Sequence, residues 1–115
     1  MNTLRIKTDA VEMTATLNDS PSAKAIWGAL PIDSTTRIWG KEVYFDIPVH
    51  ADEADAQATV PSGTIAFWPP GDCFCIFFGQ TPASPVNVVG ALDGDPDEFA
   101  KVPSGVPIRL EQAAQ

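Results

Sequence analysis

Along most of this chain, apolar and polar positions alternate with period two. Val11, Met13, Ala15 and Leu17 alternate with Glu12, Thr14 and Thr16, and Val43, Phe45 and Ile47 alternate with Glu42, Tyr44 and Asp46. A strand with one buried face has this pattern, so both segments are predicted strands with the apolar set inward. Residues 4–8 and 11–17 read as an opening strand pair joined by a turn at Asp9-Ala10. One stretch breaks the rule. Ala23, Ile26, Trp27 and Leu30 have the i, i+3, i+4, i+7 spacing of a helix face, behind a capping Ser20 and a Pro21 at the first helical position. A helix over 21–30 is predicted, ended by Pro31.

The most apolar stretch is 63–79. Residues 65–68 and 74–78 are two aromatic-rich runs separated by Pro69-Pro70-Gly71-Asp72, which turns the chain but cannot continue a ladder. Arms apolar on both faces belong in a closed barrel or beneath a further layer. A second hairpin is predicted at Arg37-Ile38-Trp39, Gly40-Lys41 and residues 42–47, with glycine first in a two-residue turn. Residues 49–59 read as a surface excursion over one barrel end and 80–85 as a proline-bounded loop. Residues 87–92 read as a strand, Asp95-Pro96 as the start of a helical turn around Phe99, Val106, Ile108 and Leu110 as a closing strand, and 111–115 as a frayed tail. All-β is the resulting class, in one domain over 1–115.

Charge narrows the partners. Fifteen acidic against seven basic residues give a formal charge of −8, which repels phosphate backbones and anionic headgroups. Nucleic acid and membrane are therefore excluded as expected partners. The absence of a leader-like apolar N-terminus points to the cytoplasm. Cys73 and Cys75, two apart in a strand, are expected as free thiols on one face. Cys-x-Cys with His50 as the lone histidine falls short of a zinc ligand set, and the Asp93, Asp95, Asp97 series lacks the glycine and bidentate glutamate of a calcium loop. No metal and no cofactor are expected, and His50 is expected to be solvated.

Strand pair, proline-started helix, hairpin, long loop, aromatic hairpin and closing strands follow the order of elements in cyclophilins. Asp19-Ser20-Pro21-Ser22-Ala23 resembles the segment that opens the first cyclophilin helix. Glu42-Val43-Tyr44-Phe45-Asp46-Ile47-Pro48 resembles the Phe-His-Arg strand, Ile76-Phe77-Phe78-Gly79 the Ser-Gln-Phe-Phe strand, and Asn87-Val88-Val89-Gly90 the Val-Val-Phe-Gly strand. The chain is more closely similar to a small prokaryotic cyclophilin-like family grouped as a domain of unknown function. Three family motifs occur: Trp-Gly-x-Glu-hydrophobic-Tyr-Phe at 39–45, Trp-Pro-Pro-Gly at 68–71 and Cys-Ile-Phe-Phe-Gly-x-Thr-Pro at 75–82. The resemblance implies a closed eight-stranded antiparallel barrel with one main helix and short helical turns.

It does not carry over a prolyl isomerase site. The cyclophilin arginine has no counterpart in 42–48, Arg5, Arg37 and Arg109 lie elsewhere in the chain, and Ile76 stands where a glutamine precedes Phe-Phe. Anchoring on Pro48 puts Phe45 at the arginine's place, whereas alternation makes Phe45 core and turns Tyr44 outward; the alternation, resting on three residues, is preferred. Glu42, Tyr44, Trp68, Phe78 and Asn87 are the expected lining of an aromatic groove that accepts a peptide segment or small ligand without chemistry. The alternative is an enzyme, either a peptidyl-prolyl cis-trans isomerase or one using Glu42 as a base on a small molecule. No catalytic set, ligand identity or oligomeric state follows from the sequence.

Overall fold

In the computed structural model, which describes residues 2–79, 82 and 84–113, the chain forms nine strands. They are β1 (Thr3–Lys7), β2 (Glu12–Leu17), β3 (Ile32–Thr35), β4 (Arg37–Trp39), β5 (Glu42–Asp46), β6 (Thr64–Trp68), β7 (Cys73–Phe77), β8 (Asn87–Leu92) and β9 (Pro107–Gln112). A single sheet orders them β3-β9-β1-β2-β8-β6-β7-β5-β4, and every pairing is antiparallel. β3 and β4 are the two edges of this sheet, yet only Thr36 separates them in the chain. The run from Ile32 to Trp39 pairs with β9 through its first half and with β5 through its second. It thereby carries one edge of the sheet to the other and bends it into a nearly closed barrel. Nine strands appear where eight were expected because this run breaks in two at Thr36.

Four hydrogen bonds hold the break. The Thr36 N–H donates to Val106 O at 2.9 Å, and Thr36 O accepts from Gly105 N at 2.8 Å. The hydroxyl donates to Pro103 O at 2.8 Å and accepts from Val106 N at 3.1 Å. With Thr36 itself 1% exposed, each of these groups has its partner away from water. β3 was not expected from the sequence. Ile-Asp-Ser-Thr contains one apolar residue, too few for a pattern, and the strand exists through its pairing with β9.

The helix α1 (Pro21–Ala29) forms as its sequence requires. Ser20 Oγ accepts from Ala23 N at 3.2 Å, Pro21 occupies the first turn, and Ala23 and Ile26 are buried. It is the one α-helix among the described residues, and no helix there is long and apolar enough to cross a membrane. The barrel interior is filled by Leu4, Ile6, Leu17, Val43, Phe45, Ile65, Phe67, Phe74 and Ile76, with Phe45 and Phe74, direct partners across β5 and β7, stacked at 5.3 Å. Val43, Phe45 and Ile47 face inward, as their alternation with Tyr44 requires. Gly90 is fixed by a close approach: a Cβ there would lie 2.0 Å from Thr16 O, so β8 can pair with β2 only through glycine.

The acidic residues that resemble a calcium loop have other work. Asp93 accepts the hydroxyls of Thr14 and Thr16, each at 2.8 Å, and Asp95 caps a 3-10 helix at Pro96–Lys101 whose Phe99 is buried. The loop expected over 80–85 falls partly outside the described residues, at 80, 81 and 83, as do 114 and 115 of the expected tail. Residues 111–113 are not frayed: β9 runs through Gln112, and Ala113 is buried with its N–H donating to Thr3 O at 3.0 Å.

Thr36→Val keeps the shape and removes only the hydroxyl. It leaves Pro103 O and Val106 N without their side-chain partner, and denaturant unfolding is expected to show a loss of about 1–3 kcal/mol with an unchanged m-value. An unchanged midpoint would show that the corner is held by its backbone bonds alone.

Candidate functional site

The outer face of β6 and β7 is apolar as well as the inner one. Ala66, Cys73, Cys75 and Phe77 are buried there, and Val60 and Val86 lie over them in a second cluster separate from the barrel interior. An isolated bridge between Gln57 and Val86 ties the two covering segments together. Between this cover and the β4–β5 hairpin lies a cavity of about 220 Å³. Trp39, Glu42 and Tyr44 form one wall, Trp68 and Cys75 the floor, and Pro82, Ser84 and Val86 the other wall.

Trp68 is clamped at both ends. Its indole N–H donates to Ser84 Oγ at 2.6 Å, and its six-membered ring lies so close to the diproline turn that a Cβ on Gly71 would meet Cζ3 at 2.4 Å. Glycine in Trp-Pro-Pro-Gly thus lets the tryptophan lie flat over its own turn. Trp39 shares the same face because it pairs directly with Glu42 across the two-residue turn. It is the one large hydrophobic side chain left exposed among the described residues.

Glu42 is 8% exposed, an unusual state for a carboxylate. Burial pushes its pKa above the ordinary glutamate range, and a hydrogen bond with the Cys75 thiol offsets part of that rise. The same pair holds Cys75 as a thiol: burial, then the charge and hydrogen bond of Glu42, raise its pKa well above the usual value. Neither cysteine is an activated nucleophile. Cys73 is pushed up to about 11, first by burial and then by Asp46. Both thiols are free, buried and on the outer face, as their spacing predicts.

The structure brings three of the five expected site residues together, Glu42, Tyr44 and Trp68, and places the other two elsewhere. Phe78 belongs to the barrel interior, 7% exposed. The strand alternation puts Phe77, its neighbour, on the outer face instead. Asn87 is buried as a structural tie. Its Nδ2 donates to Ser22 Oγ at 2.9 Å and Asp52 O at 3.0 Å, and its Oδ1 accepts from Ala54 N at 3.0 Å. It thereby pins the surface excursion after β5 to the start of α1. His50 stands in solvent with Nδ1 3.0 Å from Asp72 Oδ1, outside the cavity.

One neighbour was missed from the sequence. Arg37 lies 4.9 Å over the Tyr44 ring, its direct partner across β4 and β5. The two-residue turn at Gly40-Lys41 fixes that pairing, so hairpin counting could have found it. Its guanidinium pairs with the Asp46 carboxylate and donates to Cys73 Sγ at 3.6 Å.

An antiparallel barrel with a small cavity on the outer wall of a hairpin defines a class, and the sequence comparison gives it a family. The cyclophilin-like family model matches residues 2–111, and the chain belongs to that family. The solution structure of the hypothetical protein AF2241 from Archaeoglobus fulgidus is similar at 32% identity and TM-score 0.83, covering 97% of this chain and 95% of that one. A structure of McbB in complex with tryptophan has the same fold at 17% identity and TM-score 0.80, covering 97% of this chain and 45% of McbB. No curated protein matches significantly.

The raised pKa of Glu42 has a definite sign in stability. A group whose pKa is higher folded than unfolded contributes stability that is fully present below its unfolded value and lost as pH rises through its folded value. Glu42→Gln keeps an acceptor for Cys75 and removes the titration. Its unfolding free energy is expected to match that of the parent near pH ~4 and to exceed it increasingly toward neutral pH. A difference independent of pH would remove burial as the cause.

Proposed function

We propose that this protein is a binding module whose outer-wall cavity takes one small, largely apolar ligand or one side chain of a peptide. The observation that carries this reading is the cavity itself, three aromatic residues around one buried carboxylate. Its volume of about 220 Å³ is below the ~300–1,000 Å³ of pockets for drug-sized molecules. That size supports a fragment-sized occupant over an extended peptide. Because Trp68 is held at both ends before any ligand arrives, binding need not bear the cost of ordering it. The tryptophan in the McbB complex supports the reading as an analogy of fold only.

A second reading, proton transfer by Glu42, is favoured by one observation. Burial raises its pKa above the ordinary glutamate value, the direction in which carboxyl acid-base catalysts are tuned. The cavity offers it a poor partner, since Cys75 is held protonated and His50 lies outside. Binding without chemistry is therefore the main reading.

Thermal shift with a library of small aromatic fragments tests it. A binder is expected to raise the melting temperature progressively with concentration, and Trp68→Ala to abolish the response while Lys24→Ala, on the exposed face of α1, preserves it. A response insensitive to Trp68→Ala would place binding elsewhere. In a protease-coupled assay, isomerisation of a proline peptide is expected at the uncatalysed rate. Aromatic contacts hold both isomers alike, and a positioned donor is what favours the twisted amide. Cyclophilin-like acceleration would overturn that expectation.

A further inference from the structure

We propose that the cavity recognises an alkylated ammonium head, a choline-like or methylated amine cation, seated among Trp39, Tyr44 and Trp68 with the Glu42 carboxylate as its counter-charge. The proposal rests on the binding reading above and adds the charge and chemical class of the ligand.

Three features of the site converge on a cation. Aromatic rings present a negative face, and three of them line one cavity with a buried carboxylate. Glu42 meets a thiol there, a weak donor that leaves a buried charge poorly compensated. A cationic ligand supplies the missing positive charge. The chain's net charge of −8 also draws cations toward the surface and repels anionic ligands.

Alkylation follows from the poverty of acceptors. A bare ammonium carries three N–H donors. Among the cavity's side chains, Ser84 Oγ already accepts the Trp68 indole N–H, which leaves the Glu42 carboxylate, taken on one bond by the Cys75 thiol, as the single charged acceptor. The other lining side chains offer one phenolic oxygen, on Tyr44, and are otherwise carbon-rich: Pro82, Val86 and the aromatic rings. Methyl groups on the nitrogen replace donors for which the walls offer few acceptors, and they pack on the ring faces. The volume of about 220 Å³ suits such a head group with little else attached.

Arg37 lies over the Tyr44 ring, and Asp46 neutralises it. It is not one of the cavity walls.

Calorimetric or NMR titration with choline and its neutral isostere 3,3-dimethylbutan-1-ol isolates the charge, because the two have nearly the same shape. Choline is expected to bind roughly tenfold or more tightly than the alcohol. Glu42→Gln is expected to lower that ratio several-fold, with folding checked by the spectrum. A short peptide carrying trimethyl-lysine, titrated in parallel, distinguishes a side chain from a free small molecule as the source of the head group. Indole serves as the neutral aromatic probe. If indole binds in a Trp68-dependent way and choline shows no preference over its isostere, the cation inference is wrong and the binding reading stands. If none of the probes binds, both are wrong.

Discussion

The barrel depends on one corner. β3 and β4 are the two edges of the sheet, and Thr36 between them is held on all sides by the 103–106 turn. An open nine-stranded sheet would leave two rows of unpaired backbone groups exposed. Making both edges out of one short run means that each is paired on one side and continuous with the other through the chain. Ser34 Oγ adds a bond to Asp46 O at 2.7 Å, linking β3 to the end of β5. The corner also fixes where β4 starts, and through the two-residue turn it sets the register of β5. The outward direction of Glu42 and Tyr44 is thus a consequence of closure.

The cavity arises from the double burial of the central hairpin. A strand with side chains on both faces must be covered on both, and the barrel supplies only the inner cover. Segments around Val60 and Val86 supply the outer one. Such irregular covering chain must satisfy its own backbone groups, which the Gln57–Val86 bridge and the Asn87 amide do. The cover does not reach across β5, and the seam it leaves is walled by whichever residues face outward. Glu42 is one of them, and its burial opposes ionisation, so its place on this wall works against folding at neutral pH.

Alternation was the readable part of the sequence, and it was readable where one strand had one buried face. Val43, Phe45 and Ile47 settled the direction of Tyr44 against the competing alignment on Pro48, because a one-residue slip would have turned three apolar side chains outward. In β7 every residue is buried, so hydrophobicity could not say which Phe faces which way; counting from Cys75 would have placed Phe77 outward and Phe78 inward. Asn87 was misread for a different reason. A buried amide at a strand start can line a groove or tie loops together, and its partners, Ser22, Asp52 and Ala54, come from segments whose positions follow from no local pattern. Ser84 and Val86 were invisible likewise, since they reach the cavity as part of a loop.

Arg37 and Glu42 together decide what kind of field the cavity has. In cyclophilins an arginine assists as the peptide nitrogen of a proline loses conjugation, and Arg37 stands close enough to the Tyr44 ring to invite the comparison. Its donors, however, go to Asp46 and Cys73, on the far side of Tyr44 from Glu42 along β5. Releasing them would strand the Asp46 carboxylate and leave the Cys73 thiol one partner fewer. The group that lines the cavity is the carboxylate, an acceptor when ionised and the opposite of the donor a pyramidal nitrogen requires. A paired guanidinium outside and a buried carboxylate inside therefore give the cavity an acceptor, and no guanidinium donor, on its wall.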